Sequence, residues 1–435
     1  MAAEPLHDAI RRAKRRLLPF LFLMYVLAFL DRANIGFAKQ AFQASAGVSN
    51  AAYALGAGLF FVTYAALEVP SNLILHRVGA KLWMARIMVT WGLASAATCL
   101  VRGPLSFYAL RLLLGAAEAG FFPGVILYLT YWFPDRVRGQ MMGLFYFGAP
   151  AAFIAGGPLS GLLLELHGVA GLAGWQWMFV VDGLLASLVG LWAYVYLDDH
   201  PANARWLAEP ERAALSAALG AEAEERHGAG RTSFGAALAD PRIWLFVAIY
   251  FLIQMSVYGL TFFLPTEVGL LLGRQMGLVV GAVTAVPWIC AILATFGLTR
   301  LADRVGGHRS LAAMALAASM LGLLVSVGSS PTIALAALCL AASGFIAAQP
   351  LFWTFPTRYL GGAGAAGGLA LINALGALGG FVAPNLKAWA DARFGSSGAG
   401  LDVLAATTLV GAALMLGLRH RREAVARPPA ARRAF

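Results

Sequence analysis

The stretch "LAFLDRANIGFAKQ", Leu27 to Gln40, sets Asp31 and Arg32 side by side within an apolar run. Just upstream, "LLPFLFLMYV" (Leu17 to Val26) is more apolar than any water-exposed helix requires. An ionisable side chain in the hydrocarbon core of a bilayer costs at least about 2.5–3.5 kcal/mol, so one retained there carries a functional expectation. Asp31 and Asn34 share a helix face by their i, i+3 spacing. Adjacent residues do not, so Asp31 and Arg32 are expected to diverge: one toward a central cavity, the other toward a neighbouring helix.

The composition of the remaining chain agrees with a membrane setting. Of 435 residues, 60% are hydrophobic and only 12% charged, with a mean hydropathy of +0.74; a soluble domain is roughly 45–50% apolar and about 25% charged. The net charge of +11 does not point to nucleic acid, because the basic residues lie between apolar stretches, where they orient a chain in a bilayer. The basic "RRAKRR" (Arg11 to Arg16) precedes the first apolar run without a small-residue cleavage site after it, so that run reads as a retained span. Three cysteines, Cys99, Cys290 and Cys339, fall in apolar segments and read as buried residues rather than a disulfide or zinc framework. All seven histidines lie at span ends or in loops, which leaves a membrane metalloenzyme without ligands. No metal, cofactor or nucleotide is expected, and no G-x-x-x-x-G-K-[ST] loop is present for ATP-driven transport.

With about 20 apolar residues per crossing, twelve spans are expected: 17–38, 53–75, 82–101, 106–131, 139–164, 175–197, 243–266, 277–299, 310–328, 332–355, 363–388 and 401–419. They divide the chain into a basic segment 1–16, a six-helix half 17–197, a linker 198–242, a second half 243–419 and a tail 420–435. The linker is charged with an Ala/Leu pattern and is expected to hold a short surface helix. Of the 32 Lys and Arg, 25 fall on the side of the termini, five on the other side and two, Arg32 and Arg111, within spans. Both termini are therefore expected in the cytoplasm. The halves echo one another: "LHRVGAK" (Leu75 to Lys81) follows the second span and "ADRVGGHR" (Ala302 to Arg309) the eighth. Arg77 and Arg304 stand 227 residues apart, nearly the offset between the first and seventh spans. Duplicated six-span halves are the architecture of many secondary transporters.

These basic turns resemble the G-x-x-x-D-R-x-G-R/K loop of the major facilitator superfamily. The second copy keeps the acid as Asp303; the first has His76 there and Asn72 for the Gly. "GGPLSG" (Gly156 to Gly161) is similar to the superfamily's Gly-Pro packing motif, and Arg111 followed by Gly115 to its span-four Arg motif. More narrowly, "FLDRANIGFA", "LEVPSNLILHRVGAKLWMARIM", "RLLLGAAEAGFFPGVILYLTYWFP", "GWQWMFVVDG", "DHPANARWL" and "ALINALGALGGFVAP" resemble the anion:cation symporter branch, the bacterial sugar-acid, tartrate and phthalate-type permeases. The matches cover both halves.

The resemblance implies an all-α membrane protein of twelve transmembrane helices, working by alternating access. By its residue roles, Asp31 and Glu118 would be the proton-carrying pair, Arg32 and Arg111 would serve the substrate anion, and Tyr64, Trp353 and Asn373 would contact it. Asn34 shares the Asp31 face and joins the expected binding set. The residues read on their own point the same way: guanidiniums bind carboxylates bidentately and stay charged, while a carboxylate in a low-dielectric cavity holds protons more tightly. One site with two carboxylates and two guanidiniums, from spans one and four, is thus expected. Glu68, beside Pro70, reads as a gate or partner of the loop motif with Arg77, Asp303 and Arg304, and Asp182 as a structural residue of span six. Ala149 stands where sugar-acid members carry a Gln, and "AQPLFWTFP" is apolar for a polyol, so a smaller or more aromatic carboxylate is favoured. The expected partners are a small organic anion, protons and the lipid bilayer, for a monomer in a bacterial inner membrane. The rivals are a proton-driven efflux pump for hydrophobic compounds on the same fold and a transport-dead membrane sensor.

Overall fold

The computed structural model describes residues 3–228, 239–360, 365–396 and 398–418. The tail 420–435 and the first half of the "GGAGAAGG" glycine run lie outside the described residues. Among those described, eleven helices are long and apolar enough to cross a membrane. The third expected span is helix Ala80–Ala97; with only 18 residues, Lys81 and Arg86 among them, it falls short of that standard by itself. It is nonetheless buried in the bundle, with Trp91, Met84 and Ile87 fully covered, and Gly92 meets the Gly183 carbonyl of the sixth span backbone to backbone. The chain is a helical membrane protein of two six-helix halves.

The first helix, Ala3–Ala46, is one continuous rod of 44 residues, so residues 3–16 of the basic segment are its first turns. The linker helix Glu209–Gly228 lies against it through an Arg12–Glu211 contact of 3.2 Å. The linker also caps the turn after helix Asn50–Val78, where Asp199 accepts from the Lys81 amide at 2.9 Å.

Several spans are broken. The fourth is two helices, Pro104–Glu118 and Phe121–Trp132, joined through Gly120 at φ +86°. A β-carbon on Gly120 would come within 2.3 Å of the Ser71 hydroxyl; only glycine adopts this geometry without steric cost. The fifth is Asp135–Tyr146 and Gly148–Glu165, the seventh Pro241–Thr261 and Leu264–Leu272, and the eleventh Ala365–Ala377 and Gly379–Phe394. The remaining spans are single helices, Gly174–Tyr196, Leu278–Val305, His308–Ser326, Pro331–Tyr359 and Ala399–Gly417.

The halves meet where glycine lets backbones touch. A β-carbon on Gly157 would lie 2.2 Å from the Gly281 carbonyl oxygen, and one on Gly281 2.1 Å from that of Gly157. The "GGPLSG" stretch is thus a contact between the halves, through the fifth and eighth spans. On the side away from the chain's first residues the halves are closed. Tyr53 Oη donates toward the carbonyls of Ile35 at 3.0 Å and Phe262 at 3.1 Å, and Glu165 accepts from the Leu278 amide at 3.0 Å. The opposite side is open: a central cavity runs out past Gly139, Gly143 and Thr299.

Candidate functional site

The cavity between the halves encloses about 560 Å³, within the range of small-molecule sites. Among the described residues lining it, Arg32 and Glu118 are the only charged ones. Arg32 is presented by the middle of the first span. Glu118 is the last residue of the half-helix Pro104–Glu118, so the break at Ala119–Gly120 sets its carboxylate at the cavity wall. Arg32 Nε and Nη2 both donate to Glu118 Oε1, at 3.0 and 2.5 Å. Its Nη1 donates to Tyr258 Oη of the seventh span at 2.9 Å. The guanidinium also sits over the rings of Phe29, Phe60 and Tyr64 at 5.0–5.1 Å. Such aromatic faces favour a cation electrostatically. Glu118 Oε2 is buried without a partner, and so are Gln254 Oε1 and Trp353 Nε1 on two other lining residues. These buried polar atoms have capacity left for a ligand.

Of the expected site residues, Arg32, Tyr64, Glu118, Trp353 and Asn373 line the cavity. Asp31, Asn34 and Arg111 do not. The expected meeting of two carboxylates and two guanidiniums in one water-filled site is therefore corrected to one of each. The reason is helical: Arg32 turns inward, and Asp31, one residue earlier, turns to Ser95 of the third span, which donates to its Oδ1. Asn34 donates to Asp182 at 2.5 Å and accepts from Ser160 at 2.8 Å. Arg111, 2% exposed, donates to the Gly56 and Ala57 carbonyls at 3.3 and 3.2 Å, tying spans two and four.

Glu68 is 1% exposed and accepts from Asn373 Nδ2 at 2.8 Å, a bond between the halves beside the cavity. Its side chain therefore does not reach the loop motif. Arg77 and Arg304 are exposed in the last turns of their helices. Asp303 lies 3.4 Å from His308, while His76 meets Tyr131 at 3.0 Å. Ala149 does line the cavity. The reading from sequence missed Gln254, Gln349 and Tyr258. The two amides in apolar spans were a usable signal. Tyr258 had none, since a tyrosine in a span looks like any core aromatic.

A bundle of membrane-crossing helices in two halves, closed on one side and open on the other around a central charged cavity, is a membrane transporter. The chain belongs to the Major Facilitator Superfamily, whose family model matches residues 21–384. It is 47% identical to the inner membrane transport protein RhmT of Escherichia coli (strain K12), over 97% of this chain and 98% of that one. To a putative tartrate transporter of Agrobacterium vitis it is 42% identical, over 94% and 90%. To a quinolone resistance transporter of Acinetobacter baumannii it is 41% identical, over 93% of each. The fold is similar to that of a D-xylose–proton symporter, with a TM-score of 0.72 at 16% identity, over 92% of this chain and 96% of that one.

Proposed function

We propose that the chain is a proton-coupled symporter that takes up a small organic carboxylate across a bacterial inner membrane, with both termini in the cytoplasm. The observation that carries this reading is the Arg32–Glu118 pair, alone in charge among the described residues of the cavity wall. An arginine there matches a carboxylate bidentately, but in the inward-open form Glu118 occupies it. In the outward-open form a proton on Glu118 removes the competing charge, and Arg32 is free to take the anion. After the halves rock, the proton leaves inward, Glu118 reclaims Arg32, and the anion is expelled. Asp31 is the second acid of the cycle and sits behind Arg32 on the same helix. Tyr64, Trp353 and Asn373 shape the anion's remaining contacts, with Asn34 and Arg111 supporting from outside the cavity. The putative tartrate transporter among the relatives supports the class of cargo, and the inner membrane transport protein supports the location.

The aromatic walls and the quinolone resistance relative favour one rival, efflux of hydrophobic compounds. Thermal stability of the purified protein against a panel of carboxylates and lipophilic cations, in mildly acidic and mildly alkaline buffer, separates the two. A ligand of the folded state stabilises in proportion to ln(1 + [L]/Kd). Stabilisation by one anion class, stronger in acid and lost in Arg32→Lys, is expected; stabilisation by lipophilic cations alone sinks the proposal.

A further inference from the structure

The closed face brings a cation of each half onto one aromatic ring. Lys39 of the first span places its ammonium 4.6 Å from the centre of the Phe263 ring, and Lys387 of the eleventh span lies at the same distance from it. Tyr53, whose ring lies 5.7 Å from the Lys39 ammonium, meets Phe263 edge-on at 5.9 Å. Phe263 stands in the break of the seventh span, between Pro241–Thr261 and Leu264–Leu272.

The two lysines are served differently. Lys387, 2% exposed, contacts Asp391 at 2.9 Å and Glu267 at 3.4 Å, all within the second half. That trio carries one net negative charge. Lys39 is half-buried, and among the described residues no carboxylate comes within 4.0 Å of it; the acids that act on it, Glu267 and Asp391, are both engaged by Lys387.

Arg32, Gly36 and Lys39 follow i, i+4, i+7 spacing and so share one stripe of the first helix. Lys39 stands about 10 Å beyond Arg32 along the axis. Gly36 marks the plug between them: a β-carbon there would lie 3.1 Å from the carbonyl oxygens of both Thr261 and Phe262. Plug, ring and negative trio all belong to the second half. Parting the halves on this face therefore bares the stripe from Lys39 to Arg32, and takes the Phe263 ring and the net negative charge away from Lys39 in one movement. A cation stripped of its ring and its counter-charge is left to water or to an anion.

We propose that Lys39 is an outer docking residue for the carboxylate cargo, holding the anion two helical turns ahead of Arg32 when the protein opens on this face. Docking at Lys39 rests on the coupled-transport reading above and deepens it. The trio on the opposite wall repels the anion, which keeps it on the stripe that leads to Arg32.

Tartrate uptake into right-side-out and inverted membrane vesicles tests this. Lys39→Gln is expected to raise the tartrate KM about tenfold from the outer face and to leave it within about twofold from the inner face, and Lys39→Arg to restore the wild-type value. The wild-type outer KM should also rise with ionic strength, since salt screens an exposed charge, and that of Lys39→Gln should not. A lysine that merely latched the closed form would act in the opposite sense, because its loss populates the outward-open form and lowers the outer KM. An unchanged or lowered outer KM in Lys39→Gln thus overturns the proposal, as does a Lys39→Arg protein as impaired as Lys39→Gln. A wild type that takes up neither tartrate nor phthalate sinks the transport reading, and docking is then decided on the purified full-length protein. Acetylation of Lys39 by sulfosuccinimidyl acetate, read by peptide mass spectrometry, should be slowed by tartrate, and not by chloride of equal ionic strength, in the wild type and in Arg32→Gln alike. Absence of protection in either protein overturns the docking site.

Discussion

Arg32 places two of its N–H groups on a single oxygen of Glu118, at 3.0 and 2.5 Å, and leaves the other oxygen of that carboxylate without a partner. A geometry so one-sided can be broken by a proton on Glu118 without moving a helix. Removing one partner of a buried ion pair typically costs about 3–5 kcal/mol, because a charge is left unpaired; neutralising Glu118 in place while a carboxylate takes Arg32 avoids that cost.

Glu118→Gln should therefore keep anion exchange and lose uphill accumulation. Wild-type uptake should rise as the external pH falls, since the proton enters from outside with the anion, and the variant should lose that dependence. Counterflow and pH-jump uptake in proteoliposomes measure both. A variant that still accumulates anion on an inward proton gradient removes Glu118 from the coupling.

Gly120→Ala combines a left-handed backbone with a β-carbon 2.3 Å from the Ser71 hydroxyl. Gly168 has nearly the same φ, +87°, but open space around it, so Gly168→Ala measures the backbone penalty alone, about 1–2 kcal/mol. Thermal unfolding should show Gly120→Ala clearly the more damaging of the two. Equal losses would mean that the Ser71 contact is easily relieved.

Tyr53→Phe deletes a hydroxyl that reaches carbonyls of both halves at the closed face, away from the chain's first residues. A typical net hydrogen bond contributes about 0.5–1.5 kcal/mol, so the balance should shift several-fold toward the outward-open form. Spin labels at Ala44→Cys and Arg274→Cys, with the native cysteines replaced, should report a larger population of long distances in Tyr53→Phe. An unchanged distribution would show that other contacts hold the gate.

Arg111→Ala should cost stability rather than anion affinity. Its guanidinium serves the Gly56 and Ala57 carbonyls, and bonds to a charged donor contribute roughly 1.5–3 kcal/mol each. A lower unfolding temperature with unchanged ligand-induced stabilisation is expected. Loss of anion binding in folded protein would return Arg111 to the binding site.

Much of this was legible in the chain itself. Hydropathy placed the spans, because a bilayer of fixed thickness demands a fixed length of apolar helix; the third fell short, its lysine and arginine being carried by burial in the bundle. Of the charges flagged as functional, Arg32 and Glu118 line the cavity and Asp31 and Arg111 do not; an intramembrane charge is costly wherever it sits, so the cost marks the residue but not the face it takes. Glycines of "GGPLSG" read as packing residues, and Gly157 and Gly161 do meet backbone of the eighth span.

What sequence alone determined, then, is the set of chemical groups and the helices that carry them. Which groups meet was decided only in three dimensions. Asp31 and Arg32 are neighbours along the chain, yet one faces Ser95 and the other the cavity, because helical rotation separates them. Arg111 and Glu118 share a stripe of the fourth span, yet one ties two helices together and the other ends a half-helix at the cavity wall. Tyr258 joins Arg32 from 226 residues away, and Asn373 joins Glu68 from 305. Contacts between halves depend on how two separately folded bundles dock, and spacing along one chain holds no record of that.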